Sequence, residues 1–265
     1  MNEHVYSNWE TTHISANTSE TKEDVIATEF PLTIMVNQTE FATIVCTPKN
    51  LSELVIGFLA SEGIILFKSD IKTLEVDRAR GFTYVTLHKA LQTSDFDSSK
   101  RFIGSCCGKS RQFYFKNDVR TARTIIQSVS MTTQHCLRLM QKLQERSKYF
   151  KRTGGVHNAA LCTTDRILEV RTDIGRHNTL DKLYGYIIEN KVQVKNKIIV
   201  FSGRVSSEVL LKISKMRISI IISASAPTDL ALRLADELGI TVIGFTREEK
   251  MNVYTHKERI VDVKM

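Results

Sequence analysis

Between Lys197 and Phe245 the chain alternates short apolar runs with amphipathic stretches. Lys197-Ile198-Ile199-Val200-Phe201, Ile218 to Ser223 and Ile240 to Phe245 read as strands. Ser206 to Met216 and Asp229 to Leu238 read as helices, the second capped by Thr228 and closed by Gly239. Largely apolar strands alternating with helices predict a parallel sheet covered on both faces, joined by right-handed crossovers. A ligand is then expected outside the carboxyl ends of the strands. Those ends are Ser202-Gly203-Arg204, Ser223-Ala224-Ser225 and Thr246-Arg247, all polar or small.

Upstream the pattern is mostly that of strands. Leu32 to Val36 and Phe41 to Val45 flank a polar turn at Asn37-Gln38, and Phe82 to Leu87 alternates like a further strand. Asn50 and Glu53 fit a capping box that opens a helix at Leu51. That helix carries Leu54, Val55, Phe58 and Leu59 on one face and stops near Gly63. Residues 131–148 read as another helix, with Cys136, Met140 and Leu143 on one side. The polar residues 1–24 read as a flexible arm. The chain thus divides into this arm, a strand-rich region over 25–100, a connection over 101–130, and an α/β domain over 131–265.

The 265 residues, 42% hydrophobic and 25% charged, are enough to bury a core without disulfide or metal staples. Lys and Arg number 37 against 29 Asp and Glu, a formal +8 spread along the chain without a long basic run. That favours a compact anionic ligand over a nucleic acid. No stretch has the length or apolarity of a membrane span, and Met1 to Asp24 lacks a basic-then-apolar signal pattern. A cytoplasmic location is therefore expected, with no membrane partner. Five cysteines, an odd number in a chain this long, argue against a secreted disulfide scaffold.

Cys46, Cys136 and Cys162 sit in apolar patterns and read as structural. Cys106 and Cys107 are adjacent, lie between Gly104 and Gly108, and precede Lys109 and Arg111. Glycines free the backbone of such a loop, and neighbouring cations raise the thiolate fraction. The thiolate is the species that attacks sulfur. The competing readings are a cysteine-containing turn without chemistry and a zinc site. The zinc site lacks the usual ligand spacing and a second Cys pair, so no metal is expected. His256-Lys257-Glu258 matches the H-x-E of zinc deaminases, but no P-C-x-x-C follows it.

Thr153-Gly154-Gly155-Val156-His157 and Asp173-Ile174-Gly175-Arg176-His177-Asn178 each place a histidine after a glycine turn. Such positions hold either site residues or satisfied polar groups. Ser202-Gly203-Arg204-Val205-Ser206 joins a strand to a helix, which fits a phosphate site at a helix N-terminus or an ordinary capped turn.

Taken in order, Cys-Cys-Gly-Lys-Ser at 106–110, Thr-Gly-Gly-Val-His at 153–157, Asp-Ile-Gly-Arg-His-Asn-x-Leu-Asp-Lys at 173–182, Ser-Gly-Arg-x-Ser-x-Glu at 202–208, Ser-Ala-Ser-Ala-Pro-Thr at 223–228, Gly-Phe-Thr-Arg at 244–247 and Val-Tyr-Thr-His at 253–256 resemble the FdhD family. Gly57 to Ile65 resembles it too, so the resemblance covers roughly residues 25–260. It implies an α/β fold with a cytidine-deaminase-like three-layer C-terminal core, without the zinc site, beside a smaller strand-rich N-terminal region.

The resemblance also implies a sulfurtransferase with a cysteine persulfide intermediate. Its sulfur donor is a cysteine desulfurase, and its bound substrate is the bis-(molybdopterin guanine dinucleotide) molybdenum cofactor of formate dehydrogenase. The persulfide cysteine maps onto Cys107, with Cys106 a candidate second thiol. Many relatives have C-x-x-C-G-K here, whereas this chain has Gly104 at the first position. The cofactor-binding segment maps onto Phe245, Thr246, Arg247, Glu248, Glu249 and Lys250. Arg204, Arg176 and His177 are further candidate contacts to phosphate or guanine. Relatives often carry Pro-Gly or Arg-Gly where this chain has Glu248-Glu249. A homodimer is consistent with the resemblance. The alternative reading is a non-covalent chaperone for the same cofactor.

Overall fold

Two sheets, joined through a pair of helices, carry most of the chain. The computed structural model describes residues 5–89, 124–125 and 129–262, together with the backbone of 102–103. β1 (Tyr6–Ser15) and β2 (Thr18–Ala27) pair antiparallel along their whole length in a separate two-stranded ribbon. The expected flexible arm is thus corrected to regular structure. Its Thr-rich strands favour extended backbone, and the two residues Ala16-Asn17 close the hairpin.

β3 (Phe30–Val36) and β4 (Thr39–Cys46) form the predicted hairpin, with Asn37 and Gln38 both at positive φ as a two-residue turn requires. α1 (Leu51–Ser61), β5 (Ile71–Asp77), β6 (Phe82–Leu87) and β7 (Phe102–Ile103) complete a five-stranded sheet of order β5-β6-β3-β4-β7. Leu54, Val55, Phe58 and Leu59 of α1 pack on Leu32, Ile34 and Ile44 of that sheet. The helix begins where predicted, but not by a capping box. Asn50 is left-handed at φ 53 and its side chain caps nothing, while Glu53 is drawn to Arg171 instead.

The second unit runs α2 (Thr133–Arg146), α3 (Lys148–Thr153), β8 (His157–Cys162), β9 (Ile167–Asp173), α4 (Arg176–Glu189), β10 (Ile198–Phe201), α5 (Ser207–Lys215), β11 (Ile220–Ser223), α6 (Asp229–Leu238), β12 (Thr241–Arg247) and β13 (Lys250–Val253). Its six strands lie in the order β13-β12-β11-β10-β8-β9. Only β10, β11 and β12 are parallel. β8, β9 and β13 run antiparallel to their neighbours, so the predicted parallel sheet is a mixed one. Thr228 precedes α6 without a side-chain cap, and Gly239 closes that helix at φ 70.

Alternation along the central strands separates two apolar faces. Ile199, Phe201, Ile221 and Val242 face α4, α5 and α6, whereas Ile198, Val200, Ile220, Ile222 and Ile243 face α2. These are the three layers of an α/β core. α1 and α4 join the two units across glycines. A Cβ on Gly57 would stand 1.8 Å from the Asp181 carbonyl oxygen, and one on Gly185 would stand 1.8 Å from that of Glu53. Among the described residues no helix is long and apolar enough to cross a membrane.

Candidate functional site

The carboxyl ends of β9, β10, β11 and β12 and the first residue of β8 meet along one edge of the six-stranded sheet. In the register of β8 and β9, His157 lies opposite Asp173. Asp173 is fully buried. One carboxylate oxygen accepts from Gly175 N at 2.8 Å and Asn178 Nδ2 at 3.0 Å, and the other accepts from Thr47 N at 3.0 Å. Lys182 Nζ lies 2.6 Å from the same second oxygen and donates to the Thr47 carbonyl at 3.0 Å. Ile174 N donates to Thr47 Oγ1 at 3.1 Å, and Asn178 donates to the Val45 carbonyl at 2.9 Å. In the Asp-Ile-Gly-Arg-His-Asn stretch, Asp173 and Asn178 therefore build the turn. Arg176 and His177, half-buried in the first turn of α4, face the site.

Gly203 fits against them because it has no side chain. A Cβ there would meet the Phe201 ring at 2.8 Å and Arg176 Cβ at 3.3 Å. Arg176 Nε is buried without a hydrogen-bond partner among the described residues. His177 Nε2 stands 3.0 Å from Glu208 Oε2 at the start of α5, off the line of a hydrogen bond but within ion-pair reach. Ser202 Oγ accepts from Asn158 N at 2.9 Å and lies 3.5 Å from His157 Nδ1. Burial, and then the Arg176 guanidinium, hold His157 below the ordinary imidazole range. His177 and Arg204 act in the same direction and Asp173 opposes them.

Arg176, His177 and Arg204 thus gather about His157 where α4 and α5 begin. Helix N-termini present unpaired N–H groups and a positive dipole end, and with converging cations they suit a phosphate or another small anion. His157 was legible in the sequence only as one histidine after a glycine pair. Its convergence with Arg176 and Arg204 depends on strand pairing that no local pattern announces.

Residues 245–250 form the β12–β13 hairpin at the same edge. Phe245 is left-handed at φ 52, 39% exposed, and bonded through its N–H to the Ser225 carbonyl at 3.2 Å. Arg247, Glu248, Glu249 and Lys250 are exposed. Thr246 points inward, fully buried, with Oγ1 unpartnered among the described residues. Arg204 is exposed on the β10–α5 turn.

Cys106 and Cys107, with Lys109 and Arg111, lie outside the described residues. The strand preceding them does not. β7 runs parallel to β4, with Ile103 opposite Ile44, three residues before the Thr47 that binds Asp173. β7 therefore ends heading toward the site edge. Cys46, Cys136 and Cys162 are buried in apolar packing, which pushes each thiol up to about 12.

The FdhD/NarQ family model matches residues 27–261. Sulfur carrier protein FdhD of Geobacillus kaustophilus is 61% identical over 240 residues, covering 91% of each chain. The protein of the same name from Bacillus licheniformis is 59% identical over 241 residues, covering 90% of this chain and 91% of that one. A crystal structure assigned to a formate dehydrogenase accessory protein from Desulfotalea psychrophila superposes with a TM-score of 0.80 over 97% of this chain and 100% of that one. At 23% identity it bears on the fold.

Proposed function

This chain belongs to the FdhD/NarQ family, and on that premise we propose that it is a sulfurtransferase-type sulfur carrier serving formate dehydrogenase. It takes persulfide sulfur from a cysteine desulfurase and hands it to the bis-(molybdopterin guanine dinucleotide) molybdenum cofactor, which it binds as a substrate. The observation that carries this reading is the cluster of Arg176, His177 and Arg204 about His157 at the strand ends, toward which β7, the strand that precedes Cys106 and Cys107 in sequence, runs.

The Cys107 thiolate attacks the terminal sulfur of the donor persulfide. The donor cysteine leaves as a thiolate, and Cys107 keeps the sulfur as a persulfide. Lys109 and Arg111 offset the negative charge of both forms, and Cys106 is the neighbouring thiol. At the sheet edge Arg176, His177 and Arg204, with the N-termini of α4 and α5, hold the phosphates of the cofactor. The exposed side chains of Phe245 to Lys250 contact its guanine. A two-electron reductant completes release of the sulfur as a terminal ligand of molybdenum.

The test is Cys107→Ala in cells lacking the native gene. The variant is expected to leave formate dehydrogenase inactive while the purified protein still binds guanosine diphosphate, the nucleotide end of the cofactor. Normal activation by the variant would move the reading to a non-covalent cofactor chaperone.

A further inference from the structure

We propose that His157 is a ligand-binding residue of the strand-end site, one that takes up a proton as a phosphate-type anion enters, with Ser202 fixing which ring nitrogen meets the ligand. It rests on the reading of that edge as a phosphate site and names the residue that makes binding there depend on protons. Ser202 is held by two hydrogen bonds to Asn158. Its N–H donates to the Asn158 carbonyl at 3.0 Å, and its Oγ accepts from Asn158 N at 2.9 Å. The hydroxyl proton is left to donate, and His157 Nδ1 lies 3.5 Å away. A ring nitrogen that accepts carries no proton, so the neutral imidazole bears its proton on Nε2. Among the described residues Nε2 has no partner. It is a donor without an acceptor, on a half-buried ring at the edge where the cations gather.

The charges around the ring decide when it is protonated. Asp173 lies opposite on β9, but its carboxylate is already matched by Lys182 at 2.6 Å and by the N–H groups of Gly175, Asn178 and Thr47. His177, in the first turn of α4, has Glu208 of α5 at 3.0 Å as its own counter-charge. Arg176 from α4 and Arg204 from the β10–α5 turn meet no carboxylate among the described residues. Burial of the ring, then Arg176, His177 and Arg204, oppose a charge on His157 in the free protein. A bound anion cancels part of that repulsion and gives the imidazolium a partner, so the proton that the free site refuses is favoured in the occupied one. Binding and proton uptake then strengthen each other by the same factor. Affinity therefore rises as the pH falls through the interval between the free and occupied midpoints of His157, and is flat outside it. The effect grows with the charge of the ligand, so the site favours a doubly charged anion over a singly charged one of the same size.

Sulfate keeps its charge through the neutral range, so it reports on the site without titrating itself. The full chain, isotope-labelled at the histidine ring nitrogens, is followed by NMR over a pH series with and without sulfate. Without sulfate, His157 is expected in the Nε2–H form. Its midpoint should rise by about one pH unit in saturating sulfate, and sulfate should bind about tenfold more tightly below both midpoints than above them. In His157→Gln the pH dependence of sulfate binding should fall below about twofold, whereas His177→Gln should keep it. Ser202→Ala should move the free ring toward the Nδ1–H form and weaken sulfate about threefold. An Nδ1–H ring in the wild type overturns the proposal. So does sulfate that binds without moving the His157 midpoint, or a His157→Gln variant with the full pH dependence, and each of these leaves the anion site standing. Absence of sulfate binding at every pH contradicts the phosphate reading of the edge itself, and the role of His157 with it.

Discussion

Asp173 and Lys182 meet 2.6 Å apart with neither side chain exposed, and both bind the backbone of Thr47 in the other sheet unit. This buried pair fastens the end of β4 to the turn that presents Arg176 and His177. Removing one partner leaves a buried charge uncompensated, so Asp173→Asn is expected to cost about 3–5 kcal/mol in urea unfolding. Adding Lys182→Met to it should recover part of the loss, because no unpaired charge then remains. A double variant whose loss equals the sum of the two single losses would contradict this coupling.

The glycine crossing of α1 and α4 makes a second prediction. Gly57→Ala or Gly185→Ala puts a methyl 1.8 Å from a backbone oxygen, which no side-chain rotation relieves. Each variant should lose about 3 kcal/mol or more, a drop of several degrees in Tm by calorimetry. Gly154→Ala is the contrast. It meets nothing within 4 Å, so the cost is only that of an alanine at a positive φ of 64, about 1–2 kcal/mol.

His157 gives a pH dependence. Burial, then Arg176, His177 and Arg204, lower its folded pKa below the ordinary imidazole value of 6.5, against Asp173. Between the folded and unfolded values the unfolded chain binds the extra proton, so stability is complete above about pH 6.5 and falls as the pH drops through that window. The Tm of the wild type should therefore fall more than that of His157→Gln between about pH 7 and 5.5. Inorganic phosphate bound among the cations should narrow the difference. Parallel Tm curves without phosphate would count against a neutral His157.

Thiol chemistry should divide the cysteines. With their thiols pushed up to about 12 by burial, Cys46, Cys136 and Cys162 are protonated at neutral pH and shielded. Iodoacetamide applied to the native protein at about pH 7.5 is expected to label Cys106 and Cys107 and spare those three, with all five labelled after denaturation. Peptide mapping reads the result. Early modification of Cys46 would overturn the assignment.

What the sequence disclosed follows the range of the interactions. The β10 to β12 repeat was legible because uninterrupted apolar runs ending in Ser-Gly or Gly-Phe mark strands within a few residues. Arg176, His177 and Arg204 were legible as site candidates because each follows a glycine turn next to a helix start. The roles of Asp173, Lys182 and Thr47 were not, since their contacts span more than a hundred residues of chain. Glu53 satisfied a local capping pattern, yet its carboxylate reaches Arg171 at 2.6 Å, a longer-range and charge-assisted bond. The ribbon was read as an arm because its composition is polar. Its strand pairing, not burial, makes it regular.

Persulfide carriage by Cys107 is tested by intact-protein mass spectrometry after incubation with a cysteine desulfurase and cysteine, followed by peptide mapping of residues 102–111. A sulfur carrier gains one reductant-sensitive sulfur on Cys107. With a donor of demonstrated activity, the absence of added sulfur on both Cys107 and Cys106 would contradict the account and leave cofactor binding without covalent transfer.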